Sequence, residues 1–426
     1  MNAQPKQCSF CRRSQTPDMP LIAGLDGHIC EDCARLAAQV VESWGRRRTV
    51  AEPFKRLPVP REIKDQLDAY VIGQEEAKLT LAVAVYNHYK RLQAETQAVG
   101  TAVTDERVDV EKSNILLLGP SGTGKTLLAA TLAKIVGVPF AIADATTLTQ
   151  AGYVGEDVDT IIARLLEAAE GNRERAQWGI VYIDEIDKLA RAGESAHATR
   201  DISGEGVQQA LLKLVEGTLV NISDRNRKGQ DGGAIDTRNI LFIAGGAFAG
   251  LETILERRLR PAGPTIGFHS EPGAHRRRRP DPDLFEQTRP EDLRHFGLIP
   301  EFIGRFPIIT GLHALDEATL IRILTEPRNA LVKQYQQLFS YDDVQLEFEP
   351  DALAEIARGA VERGTGARGL RSVLESLLKR VMFDLPSRTD VGCCRVTEAA
   401  VRGEVPIDLS SRTDHRSEDV QGAAAG

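Results

Sequence analysis

No run of apolar residues in this 426-residue sequence approaches the ~18 that a membrane-spanning helix needs, and the N-terminus lacks the apolar core of a signal peptide. A cytoplasmic protein without membrane contact is therefore expected. Positive charge is not in excess: 53 Lys and Arg against 61 Asp and Glu leave a formal net charge of −8, which argues against a nucleic-acid binder. The two local basic runs, Arg46-Arg47-Arg48 and Arg276 to Arg279, read as solvated linker or loop. No internal repeat is present, and cysteine is scarce. What remains, 42% hydrophobic and 27% charged residues, suits a water-soluble chain with length for two or three domains.

The six cysteines are informative through their placement. Four lie in the first 33 residues as Cys8-x2-Cys11 and Cys30-x2-Cys33, with 18 residues between the pairs, the spacing of a four-thiolate zinc site. A reducing compartment argues against disulfides. So short a segment also lacks the apolar area to fold unaided, so Zn2+ would supply much of its folding free energy. Cys393 and Cys394 are adjacent, have no nearby partners, and read as strand or core residues.

Along the chain, residues 1–45 form a candidate zinc-binding domain. The stretch "RRRTVAEPFKRLPVP", with three prolines and no apolar periodicity, reads as a linker over 46–60. From 61 to 312 helical patterns such as "EEAKLTLAVAVYNHYKRL" alternate with compact apolar runs, "SNILLLG", "GIVYIDE" and "RNILFIAGG". Helices between buried strands predict an α/β domain with a parallel sheet. Residues 313–408 turn mainly helical, with strand candidates at "VQLEFEP" and "CCRVTEA". The polar, small-residue-rich stretch 409–426 is expected to be a disordered tail.

"GPSGTGKT", Gly119 to Thr126, fits G-x4-G-K-[ST] and stands between the strand "NILLL" and the helical "LLAATLAKIVG", the context that identifies a P-loop. The loop Gly119, Pro120, Ser121, Gly122, Thr123, Gly124 and the residues after it, through Leu127, would wrap the phosphates of ATP at a helix N-terminus, with every residue except Pro120 offering a backbone N–H. Lys125 would reach the β- and γ-phosphates, and Thr126 would ligate Mg2+. Some 60 residues later, "GIVYIDE" ends in adjacent carboxylates: Asp184 would serve Mg2+, and Glu185 would polarise the attacking water.

Several further motifs resemble the ClpX family of hexameric AAA+ protein unfoldases, which feed the ClpP peptidase. The likeness runs from about Cys8 to Leu385. "YVIGQEEAKLTLAVAVYNHYKR" resembles the family's adenine-side segment, with Val71 and Ile72 beside the base. "RDISGEGVQQALLKLVEGT" resembles its central signature. "GLIPEFIGRFP" resembles the segment carrying an arginine finger, here Arg305, and "GTGARGLRSVLE" the sensor-2 helix, with Arg368 on the nucleotide phosphates. The resemblance implies a large α/β AAA+ domain, a smaller helical AAA+ domain and an N-terminal zinc domain that dimerises and receives adaptors. A finger in trans, worth ~10³–10⁵ in rate, ties hydrolysis to assembly as a homohexamer. An arginine on the smaller domain lets hydrolysis move one domain against the other.

"AGYVGED" resembles the family's pore loop, with Tyr153 and Val154 gripping an unfolded or tagged polypeptide by contact area and flanking glycines letting the loop move. Arg200 matches the end of a second pore loop. Ile266-Gly267-Phe268 resembles the tripeptide that docks on ClpP, a small apolar plug used several times at once. No serine, cysteine or metal protease motif appears, so proteolysis would come from that partner. Three departures stand out. The family's entrance loop carries Arg-Lys-His, whereas this chain has Arg227-Lys228-Gly229; the run Arg276 to Arg279 has no family counterpart; and the strand "ILFIAGGAF" ends in glycines where many AAA+ relatives carry a polar sensor. A remodeller without a peptidase, a nucleic-acid-acting AAA+ protein and a non-catalytic scaffold are the competing readings. The tripeptide, the acidic balance and the complete Lys125, Thr126, Asp184 and Glu185 set oppose them in turn.

Overall fold

The computed structural model describes residues 7–16, 20–24, 27–38, 56–98, 108, 110–149, 156–190, 202–222, 233–259 and 284–411. The N-terminal segment holds two short antiparallel strands, β1 (Leu21–Ala23) and β2 (His28–Cys30), followed by helix α1 (31–38). Its first cysteine pair sits on a turn in which Arg12 N–H donates to Cys8 O at 2.8 Å. Among its described side chains only Cys8 and Cys30 are buried apolar groups, and Phe10, Ile22 and Leu36 face solvent.

The next unit opens with α2 (Pro60–Asp68) and α3 (Glu75–Ala98). Proline at the first helical position starts α2, one residue inside the stretch expected to be linker. Then follow β3 (Ile115–Leu118), α4 (Lys125–Val136), β4 (Phe140–Asp144), the short pair β5 (Leu148–Thr149) and β6 (Glu156–Asp157), α5 (Thr160–Ala168), α6 (Arg173–Ala176) and β7 (Ile180–Asp184). After α7 (Ile202–Glu216) come the hairpin strands β8 (Leu219–Asn221) and β9 (Ala234–Asp236), then β10 (Leu241–Gly246), α8 (Leu251–Leu259), α9 (Pro290–Phe296), α10 (Pro300–Gly304) and β11 (Ile308–Gly311).

Five strands form one parallel sheet in the order β11-β3-β10-β7-β4. The apolar runs of the central strands β3, β10 and β7 are continuous because helices cover both faces. In β3, Ile115 and Leu117 join the core containing α3 and α4, while Leu116 and Leu118 join the opposite core with α5, α7 and α10. Each such side chain contributes ~1.5–3 kcal/mol on burial. Buried Asn114, just before β3, ties the sheet to its last helix: Nδ2 donates to Arg305 O at 2.9 Å and Oδ1 accepts from Phe242 N–H at 3.2 Å. The carboxyl ends of β3, β7 and β10 share one edge, where open α/β sheets form their ligand crevices.

The smaller unit comprises α11 (Glu317–Thr325), α12 (Leu331–Ser340), β12 (Gln345–Phe348), α13 (Pro350–Glu362), α14 (Ala367–Asp384), β13 (Val391–Val396), α15 (Glu398–Val401) and β14 (Asp408–Ser411) around a separate core. Both expected strands form, and Cys393 and Cys394 are buried in β13. The tail expected from 409 begins too early: Leu409 to Ser411 pair with β13, where ladder hydrogen bonds outweigh a polar local composition. Hydrogen bonds fasten this unit to the larger one. The buried Gln74 side chain donates to His313 O at 2.9 Å and accepts His313 N–H at 2.8 Å, and Arg328 N–H donates to Ala69 O at 2.9 Å. No helix among the described residues is long and apolar enough to cross a membrane.

Candidate active site

β3 runs directly into the glycine loop, and the loop closes into α4. An added Cβ on Gly122 would come within 2.5 Å of Thr365 O, and its φ of 78° also requires glycine. Gly124, at φ 102°, caps α4 without any side chain, leaving the helix N-terminus open to an anion. Lys125 is buried and donates from Nζ to the carbonyls of Gly119 at 2.6 Å and Pro120 at 2.9 Å. That burial lowers its ammonium pKa to about 8. A phosphate in reach of Nζ would supply the missing counter-charge.

The two residues expected to serve Mg2+ meet: Thr126 Oγ1 donates to Asp184 Oδ2 at 3.0 Å. The other carboxylate oxygen of Asp184 accepts from Tyr182 Oη at 3.2 Å and from Glu185 N–H at 3.0 Å. A hydroxyl and a carboxylate at this separation make an oxygen donor set suited to a hard divalent cation. Glu185 itself holds φ 57°, a left-handed conformation that costs a non-glycine residue ~1–3 kcal/mol and is typical of functional sites.

These groups line a cleft of about 720 Å3 between the two units, the size of a small-ligand site. Ser121, Gly122, Gly124, Lys125, Thr126 and Leu127 form its floor, and Asp184 and Glu185 one wall. Arg368 comes from the first turn of α14 in the smaller unit, with Ile323 and Leu331 as apolar company. Ala367 N–H donates to Gly122 O at 3.2 Å, so the glycine loop and α14 touch through their backbones. Val71 and Ile72 are buried, and the side chain that lines the cleft beside them is Tyr70.

The sequence reading missed Tyr182, which falls inside an apolar strand pattern. An added Cβ on Gly245 would collide with the Tyr182 hydroxyl, and one on Gly246 would come within 2.5 Å of Asp187 Oδ1. The glycines that end β10 are thus small because neighbours on β7 and after it fill the space with polar atoms. Tyr182→Phe keeps the packing and deletes one hydrogen bond to the Asp184 carboxylate. A loss of roughly threefold to tenfold in ATP turnover with a near-native unfolding temperature is expected. Unchanged turnover would show that Asp184 is oriented without it.

At the N-terminus, the ligand atoms of Cys8, Cys11, Cys30 and Cys33 all lie within 4.8 Å of one another. Cys11 and Cys30 Sγ are 3.7 Å apart, close to the ~3.8 Å edge of a tetrahedron with 2.3 Å zinc–sulfur bonds. Backbone N–H groups, that of Cys11 foremost, lower the Cys8 thiol to about 6, whereas hydrogen bonding to Cys30 raises Cys33 to about 12. A cation replacing the shared protons fits this donor set, and Zn2+ is the ion it suits.

Comparison with known proteins covers the regions that carry both sites. Residues 6–43 match the ClpX C4-type zinc finger, 110–309 an AAA domain (Cdc48 subfamily), and 315–395 the C-terminal D2-small domain of ClpB protein. The ATP-dependent Clp protease ATP-binding subunit ClpX 3 of Methylococcus capsulatus is 59% identical over 413 residues, 96% of this chain and 95% of that one. The chain belongs to the ClpX family. A second ClpX-family relative, the ATP-dependent Clp protease ATP-binding subunit ClpX of Azotobacter vinelandii, is 59% identical over 390 residues, 91% of this chain and 88% of that protein.

Of the remaining residues that the ClpX-family resemblance singled out, Arg305 lies at the end of α10, outside its own chain's cleft. Its Nε and Nη2 lie 2.8 and 2.7 Å from Glu216 Oε1, and its side chain is half exposed. Tyr153, Val154, Arg200, Ile266, Gly267 and Phe268 lie outside the described residues, as do Arg227 to Gly229 and Arg276 to Arg279. Some of their anchors are described: β5 pairs with β6 to bring together the two ends of the segment bearing Tyr153 and Val154, and α7 begins two residues after Arg200.

Proposed function

We propose that this chain is an ATP-dependent protein unfoldase and translocase that works as a homohexamer in the cytoplasm, draws substrate proteins through a central pore and delivers them to a ClpP-type peptidase. The observation that carries this reading is the meeting of Lys125, Thr126, Asp184 and Glu185 with Arg368 of the other unit over one cleft, in a chain of the ClpX family. Lys125 and the α4 N-terminus bind the triphosphate of ATP. Thr126 and Asp184 would hold Mg2+, which would supply positive charge to neutralise the transferred phosphoryl group. Glu185 takes a proton from the attacking water, and Arg305 stabilises the transition state in the neighbouring subunit. Because Arg368 reaches the cleft from the smaller unit, loss of the γ-phosphate removes an attraction between the two units.

Tyr153 and Val154 grip the polypeptide and Ile266-Gly267-Phe268 docks the peptidase, while the zinc domain receives adaptors and some substrates. The test is ATP-dependent degradation of a C-terminally tagged fluorescent protein with the peptidase present, ATP turnover being followed in parallel. Tyr153→Ala is expected to retain ATP hydrolysis and lose unfolding. Phe268→Ala is expected to retain both hydrolysis and unfolding and lose degradation, because multivalent docking amplifies each contact ~10²–10⁴-fold. Persistent fluorescence in the parent protein, with an untagged loosely folded substrate also spared, would overturn the coupling to a peptidase.

A further inference from the structure

We propose that Glu216 is a positioning residue for ATP hydrolysis, orienting Arg305 so that its free edge faces the nucleotide of the neighbouring subunit. The inference rests on the reading of Arg305 as a finger acting in trans. Glu216 Oε1 takes both the Nε edge and Nη2 of the guanidinium, at 2.8 and 2.7 Å. Among the described residues Nη1 has no partner, and it is the end left to meet a phosphate. A carboxylate that fixes one edge of a cationic side chain while the other edge works is the logic of the aspartate in a catalytic triad.

Three observations make this more than a surface ion pair. Glu216 is the last residue of α7, an end where the helix dipole disfavours an acid, so its place is not explained by the helix. Both partners are held on fixed backbones. Asn114 holds Arg305 O at 2.9 Å, while the α7 carbonyls Leu214 O and Val215 O accept from Thr237 Oγ1 at 2.8 Å and Lys112 Nζ at 3.2 Å. Finally, α7 connects the finger to its own chain's cleft. Fully buried Gln208 donates to Leu189 O at 2.7 Å, in the turn after Glu185, and accepts from Ile299 N–H at 2.9 Å, at the start of the helix ending beside Arg305. With both side chains about half exposed, the pair is too solvated to be kept for stability.

The experiment measures ATP turnover of the assembled full-length protein for Glu216→Gln, Glu216→Ala, Arg305→Ala and the double variant Glu216→Ala/Arg305→Ala, with unfolding temperatures. Glu216→Gln is expected to lower kcat about tenfold at unchanged KM for ATP and unchanged unfolding temperature, the signature of a misaimed group acting only in the transition state. The double variant should be no slower than Arg305→Ala alone, because Glu216 acts through that side chain. Native kcat in Glu216→Gln beside a severely impaired Arg305→Ala overturns the proposal and leaves the finger standing. Additive losses, or a fall in unfolding temperature that accounts for the lost activity, overturn it as well. Native kcat in Arg305→Ala instead overturns the finger reading and, with it, this one.

Discussion

Glu185→Gln is expected to bind ATP as the parent does and to hydrolyse it ~10²–10⁴-fold more slowly, the range for losing a positioned general base. The substitution keeps size and hydrogen-bonding capacity, so the cleft should not reorganise. The Asp184 carboxylate, which accepts from Thr126, Tyr182 and the Glu185 backbone, does not depend on the Glu185 side chain. The strained φ of 57° is likewise indifferent to the change, because glutamine has the same backbone preferences as glutamate. Affinity and turnover should therefore separate: calorimetry with ATP and Mg2+ gives near-native binding, and phosphate release becomes barely measurable. Turnover above a third of the parent rate would remove Glu185 from the base role and point to another acceptor for the water's proton.

The second large effect concerns the metal. Stripping Zn2+ from the full-length protein with a chelator is expected to unfold residues 7–38 while leaving ATP turnover intact. Among its described residues that segment buries only Cys8 and Cys30 of its apolar side chains, and Phe10, 72% exposed, gives it no aromatic anchor. Its fold therefore depends on the metal, whose apparent contribution in such sites is ~10–16 kcal/mol at neutral pH. The sheet and the cleft have their own cores and share none of its residues. Rapid proteolysis confined to the N-terminal segment, reversed by added Zn2+, is the expected observation. A segment that stays protease-resistant after complete metal removal would show that β1, β2 and α1 suffice without it.

What was legible in the sequence was local. The glycine loop, the paired carboxylates and the cysteine spacing each declare their chemistry within a few consecutive residues, and the structure brings the first two together. The apolar runs of β3, β7 and β10 were legible because central parallel strands are buried on both faces. The edge strands β4 and β11 were not: Ile142 is 45% exposed, and Ile308 and Ile309 of β11 are only partly buried. Residues acting across long separations gave no signal either. Gln74 meets His313 across 239 positions, Asn114 meets Arg305 across 191, and Glu216 meets Arg305 across 89. Tyr182 was hidden differently, as an aromatic in a strand, a place where burial alone would explain it.

The Gln74 clamp also counts the degrees of freedom between the two units. Leu312 belongs to the larger unit's core, and His313 is held by both its backbone groups. On the other side, the Asp316 side chain accepts Thr319 N–H at 2.8 Å and so belongs to the start of α11. Only Ala314 and Leu315 stand between these fixed points. Peptide planarity leaves such a pair four soft torsions. Along the covalent connection, reorientation of one unit against the other draws on those four angles, and it must also carry or break the Arg328–Ala69 and Ala367–Gly122 backbone hydrogen bonds.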